Sequence, residues 1–165
     1  GQNLVRMLTE EGAIVLVSDI NKESVDAMVK QYGATSIAAE NVYDQEIDIY
    51  APCALGATLN TENINRLGCS VVAGAANNQL AEEVQHGQQL KEKGILWAPD
   101  FLINAGGLIN VYSELHGYNR EVAMEQARKI YDTTLEILRK AKKEDITTIA
   151  AAKMIAEERI LAARQ

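Results

Sequence analysis

Apolar positions first recur at helical spacing: Leu4, Val5 and Leu8 follow directly on Gly1, and the run stops at Gly12. A short apolar strand follows over 13–17, ending on Ser18 and Asp19. Asn21 is placed to cap a helix reaching about Gln31, with Gly33 as its stop. Further short apolar segments fall near 34–38, 47–51, 70–73 and 95–98. Between the last two lies a polar, helix-like stretch over 80–93, closed by Gly94. From Asn104 the pattern becomes helical throughout, over about 104–116, 119–142 and 147–163, with Thr147 as a cap for the last. Strands alternating with helices predict an α/β fold, a doubly wound parallel sheet of Rossmann type followed by C-terminal helices. No repeat, linker or low-complexity tract divides 1–165, so one domain is expected, helical from about 104. The opening helix and strand read as the second half of a βαβ unit. The expectation is that the first, central strand lies upstream and that the chain is part of a longer protein.

Composition narrows the function classes. A 47% apolar and 24% charged share fits an ordinary globular chain, and 165 residues suffice for a sizeable core. The net charge of −7 and the lack of a basic stripe argue against nucleic-acid binding. No apolar run approaches the roughly 20 residues that span a bilayer, so no membrane association is expected. Cys53 and Cys69 lie in apolar contexts without CxxC spacing or a nearby His, which suggests buried thiols, a cytoplasmic setting and no metal site.

The candidate chemistry sits at strand ends. Gly1 has the place of the third glycine in a dinucleotide fingerprint, where a small residue lets the helix approach the first strand. Asp19, followed by Ile20, then falls where an acid about 20 residues on bonds the adenosine ribose hydroxyls. An acid there, with no adjoining Arg, favours NAD over NADP. An exposed turn aspartate is the competing reading. Pro52 to Gly56 follows another strand and offers small residues to a ribose or nicotinamide. Asn77 and Asn78 follow a third, where an amide can donate and accept at once, although Asn pairs also form ordinary turns. Asn104 precedes Ala105-Gly106-Gly107, a small-residue step into a helix whose free N–H groups can face a ligand. Leu108 and Val111 share one face of that helix, and core packing is the alternative for both.

Four stretches make the pattern more specific: "APCALGATLN", "VVAGAANNQL", "APDFLINAGGLINV" and "GYNRE". In that order they resemble the amino-acid dehydrogenase family that includes the glutamate, leucine, phenylalanine and valine enzymes. The resemblance runs through "AEER" at 156–159 and is nearest to members acting on leucine and other branched-chain amino acids. It implies reversible NAD-dependent oxidative deamination to a 2-oxo acid and ammonia. It assigns Gly1, Asp19, Ile20, Cys53, Ala54, Leu55, Asn78 and Asn104 to the cofactor, and Asn78, Leu108 and Val111 to the substrate. It further implies a homo-oligomer, with C-terminal helices returning to close the cleft. The family's usual "CALGG" here has Ala57 for its last glycine, which would be strained if φ is positive. Glutamate-specific relatives carry a hydroxyl near the Val111 position, and burying a side-chain carboxylate against valine would be costly. An apolar substrate is therefore expected. Phenylalanine-specific relatives tend to carry histidine where Asn110 stands.

The family's catalytic lysines and aspartate belong to a separate N-terminal domain. The lysines here fall on polar helix faces or near helix ends, and His86 and His116 read as surface or capping residues. No catalytic residue is expected in these 165, and the isolated chain is expected to be inactive. The other readings are a phenylalanine or valine dehydrogenase of the family, and a nucleotide-binding module without chemistry. A methyltransferase would also place an acid after its second strand, but "AANN" and "NAGG" oppose it.

Overall fold

The computed structural model describes residues 1–115 and 117–164. Helix α1 (Gln2–Glu10) leads into strand β1 (Leu16–Val17), helix α2 (Lys22–Tyr32) and strand β2 (Thr35–Ser36). A 3-10 turn (Ala39–Asp44) then precedes β3 (Ile49–Tyr50), α3 (Thr61–Arg66), β4 (Val71–Val72), α4 (Glu83–Glu92) and β5 (Leu96–Trp97). The chain ends in α5 (Asp100–Ile103), α6 (Gly106–Leu115), α7 (Arg120–Glu144) and α8 (Thr148–Ala162).

All strand pairs are parallel. They form two pieces, β1-β2 and β3-β4-β5, with registers such as Leu16 to Thr35, Ile49 to Val71 and Val72 to Trp97. These orders are those flanking the central strand of a doubly wound sheet. The predicted α/β class, a parallel sheet lacking its first strand, is therefore correct, and the two pieces share no ladder among the described residues.

Local chemistry sets the helix ends as expected. Asn21 accepts from the Ser24 N–H, and Gly33 closes α2 at φ 68°. Thr147 accepts from the Ala150 N–H, and Asn119 from the N–H groups of Glu121 and Val122. Two expected boundaries move. The helix predicted over 80–93 starts only at Glu83, because Leu59 and Leu80 form a parallel bridge that takes the Ala81 N–H. The helix predicted from 104 starts at Gly106 as α6, and a separate unpredicted turn, α5, precedes it with Asn104 as its C-cap.

The main core gathers Leu59, Ile64, Leu67, Val72, Leu90, Ile95 and Trp97 around β4, with Ile149 of α8 inserted among them. Alanines 141, 151 and 152 let α7 and α8 approach closely around Ile137 and Ile155. Lys91 of α4 reaches both the carboxylate and the carbonyl of Asp145, and Lys153 pairs with Glu83. The C-terminal helices are thereby fixed against the sheet's helical layer. A third, small cluster of Val5, Met28 and Ala34 supports β1 and β2.

Candidate functional site

The carboxyl ends of β3, β4 and β5 run into three adjoining loops, the first two of which meet main chain to main chain. A Cβ at Gly74 would lie 2.2 Å from the Pro52 carbonyl oxygen, and one at Gly56 would lie 2.5 Å from that of Asn77. Only glycine fits either place. The first two loops are then zipped by hydrogen bonds from Ala76 N to Pro52 O (2.9 Å), Ala57 N to Asn78 O (2.6 Å) and Leu59 N to Gln79 O (2.9 Å). The zip forces two non-glycine residues into the left-handed region, Ala57 at φ 57° and Asn78 at φ 51°. Asparagine tolerates that conformation, whereas alanine is strained by it. The conditional expectation for Ala57 thus resolves towards strain.

Gln79, fully buried, ties the second loop together. Its Nε2 donates to the carbonyls of Gly74 (2.7 Å) and Ala76 (3.0 Å), and its Oε1 accepts from the Trp97 indole N–H (3.1 Å). Asp100, also buried, accepts the Gln79 N–H at 2.7 Å and the Phe101 N–H at 2.6 Å. The third loop joins by a side-chain bond from Asn104 Nδ2 to Asn77 Oδ1 at 2.6 Å. Asn77, Asn78 and Asn104 therefore border one rim. Asn77 and Asn78 face solvent, and the Asn78 amide has no hydrogen-bond partner among the described residues. Sequence reasoning missed Gln79 and Asp100. The only signal for them was polar residues placed directly after strand-end motifs.

The other predicted cofactor residues divide. Cys53, Ala54 and Leu55 lie in the first loop, Leu55 protruding, and a Cβ at Gly1 would meet the Cys53 Cβ at 3.9 Å. Gly1 is thus drawn to the same rim. Asp19 sits at the carboxyl end of β1, exposed, its Oδ1 accepting the Asn21 N–H at 2.8 Å. The adjacent Ile20 is fully exposed. No hydrogen bond or ion pair among the described residues joins Asp19 to the three loops, so bonding links the candidates at the strand ends of β3 to β5 but not the acid after β1. Leu108 and Val111 are not core residues: they stand exposed on α6, with Tyr112 and Leu115 continuing the apolar face.

Two expectations for titratable side chains need correction. His86 is buried, not a surface residue, because α4 turns it inward. Its Nδ1 accepts the Glu82 N–H at 2.8 Å, which leaves the proton on Nε2 to donate to Thr61 Oγ1 at 3.2 Å. Cys69 is buried, and burial pushes its thiol pKa up, but Cys53 is only half-buried because its loop opens at the rim. His116 lies outside the described residues. The paired lysines bond elsewhere: Lys93 holds the carbonyls of Ile64 and Asn65, and Lys140 pairs with Glu144 and Glu158. Among the described residues no group of acidic, His or Cys side chains is arranged to hold a metal ion, and no helix is long and apolar enough to cross a membrane.

Comparison with known proteins decides the family. The family described as Glutamate/Leucine/Phenylalanine/Valine dehydrogenase matches residues 2–165. The chain belongs to this family. It is 54% identical over 157 residues to leucine dehydrogenase from Thermoactinomyces intermedius, a match covering 95% of the chain and 43% of the relative. It is 44% identical over 167 residues to phenylalanine dehydrogenase from Bacillus thermotolerans, covering 98% and 44%. The crystal structure of L-tryptophan dehydrogenase from Nostoc punctiforme superposes with a TM-score of 0.96 at 47% identity, covering 98% of this chain and 49% of that one. This chain therefore spans less than half the length of the amino-acid dehydrogenases it matches. A glutamate dehydrogenase from Peptoniphilus asaccharolyticus, at 21% identity and TM-score 0.65 over 99% of this chain and 43% of that one, shares the fold.

Proposed function

We propose that these residues form the cofactor-binding part of an NAD-dependent amino-acid dehydrogenase acting on L-leucine and other branched-chain amino acids. The observation that carries this reading is the amide rim: Asn104 and Asn77 joined at 2.6 Å, with the Asn78 amide beside them and unpartnered among the described residues. A nicotinamide carboxamide needs both a donor and an acceptor, and asparagine side chains supply both without charge. The glycine-only contacts of Gly56 and Gly74 keep the loops low enough for a flat ring to lie on main chain. NAD supplies the hydride acceptor. The chain's own residues hold and orient it, Asp19 receiving the ribose hydroxyls with the carboxylate oxygen not used by Asn21. A free carboxylate there disfavours the extra phosphate of NADP.

Asn78 serves the substrate side as well as the carboxamide, and Leu108 and Val111 offer the substrate side chain an apolar wall. Discrimination among aliphatic side chains by such a wall is worth only about 1–3 kcal/mol per methylene. The base that accepts the amino-group proton comes from outside these residues, and the 165-residue chain alone does not turn over leucine. A cytoplasmic homo-oligomer is the proposed setting.

The test is a steady-state assay of the natural polypeptide that carries these residues. L-leucine, L-valine, L-phenylalanine and L-tryptophan are each offered with NAD and with NADP. Turnover with NAD and an aliphatic substrate is expected. Absence of NAD-dependent turnover with all four, or binding of S-adenosylmethionine in place of NAD, overturns the reading.

A further inference from the structure

The hydrogen bonds about Asp100 close a ring. Its carboxylate Oδ2 accepts the Gln79 N–H at 2.7 Å, and its backbone carbonyl accepts the Asn104 N–H at 3.0 Å. Asn104 Nδ2 reaches Asn77 Oδ1 at 2.6 Å, and the chain returns from Asn77 through Asn78 to Gln79. One residue thus fixes both amide-bearing segments, the first through its side chain and the second through its main chain. Asp100 is only 7% exposed and forms no ion pair among the described residues. A carboxylate buried in this way is costly unless its oxygens are hydrogen-bonded, and its bonds to N–H groups are then short and directional. An apolar side chain would fill the same space without that cost. What the carboxylate adds is direction.

We infer that Asp100 is a positioning residue: acting through Gln79, it sets the spacing of Asn77 and Asn78 against Asn104, and so the affinity for the nicotinamide half of the dinucleotide. This rests on the cofactor reading above. The adenosine half falls to Asp19, on the separate β1-β2 piece, which shares no ladder with β3-β4-β5 among the described residues. The two halves of the ligand therefore report separately.

The experiment uses the natural polypeptide that carries these residues and measures binding of NADH and of ADP-ribose, which lacks the nicotinamide, by calorimetry. In Asp100→Asn a single neutral amide oxygen replaces two charged acceptors, so the Gln79 and Phe101 N–H groups compete for it and the ring bond to Gln79 is weakened at nearly unchanged volume. NADH affinity is expected to fall about tenfold, the scale of one hydrogen bond to a charged acceptor, with ADP-ribose within about twofold of wild type. A merely structural role would weaken both ligands together. Parallel losses, or no loss of NADH, overturn the inference and leave the cofactor reading standing. If the wild type binds ADP-ribose but not NADH, both fall. Should melting show that Asp100→Asn is unfolded, Asn77→Ala opens the same ring at its exposed bond. The same selective loss is expected there, and an unselective one overturns the inference.

Discussion

Ala57 is the one alanine held in the left-handed region among the described residues, and replacing it with glycine should stabilise the fold. At φ 57° the methyl group crowds the following carbonyl, at a cost of about 1–2 kcal/mol for an L-residue. Removing it relieves that strain. Against this, glycine makes the unfolded chain more flexible, which takes back about 0.4–1 kcal/mol. Packing hardly enters, because Ala57 is exposed and its methyl buries little surface. The hydrogen bond from Ala57 N to Asn78 O, at 2.6 Å, is kept by glycine. The net expectation is a gain of about 0.5–1 kcal/mol, or roughly 1–4 °C in melting temperature for a domain of this size. Urea unfolding with an unchanged m-value would measure it. Asn78→Gly is the matched control. It has the same backbone sign, at φ 51°, but asparagine is at ease there, so no gain is expected. If Ala57→Gly destabilises, or if Asn78→Gly gains as much, the strain argument fails.

Gly74→Ala should destabilise by about 3 kcal/mol, because the new Cβ would stand 2.2 Å from a carbonyl oxygen that cannot swing away; a urea midpoint equal to wild type would refute this. His86→Ala should cost about 2–3 kcal/mol by the same assay, since it leaves a cavity and strands the Glu82 N–H that caps the approach to α4. Arg66 grips Asp44 through Nε at 2.9 Å and through a terminal NH2 at 2.7 Å, and this hydrogen bonding holds the Asp44 carboxyl below its ordinary range. A carboxyl lowered in the folded state stabilises above its unfolded pKa of about 3.9 and loses that contribution as pH falls below it. The urea midpoint should therefore drop less between pH 7 and pH 3 in Asp44→Asn than in the wild type, and equal drops would assign the acid loss elsewhere.

Much of this could be read from residue order, for identifiable reasons. Caps such as Asn21, Asn119 and Thr147 work through their own side chains on the next turn, so three or four residues carry the whole signal. Asn60 caps α3 by the same bond, yet that six-residue helix went unread because it is too short to show a period. The short α5 ahead of the 104–116 segment also escaped, since it is a single turn set by the Asp100 contacts. The rim was half legible. Strand-end asparagines announce themselves by type and place, whereas the inward turn of His86 and the burial of Gln79 depend on partners 25 and 18 residues away. No local pattern carries that information.

The division between rim and pocket has a consequence for specificity. The loops that would receive the nicotinamide are set by main-chain contacts at Gly56, Gly74, Ala57 and Asn78, where most substitutions would disturb the fold itself. Leu108 and Val111 are exposed on one face of α6 and bear no such constraint. Side chains there can change without moving the loops. The matched relatives are named for leucine and for phenylalanine, at 54% and 44% identity. On the proposed function, a change of substrate would draw on the exposed face of α6 and leave the loops in place. A change of cofactor would need the carboxyl ends of four strands to be rebuilt together.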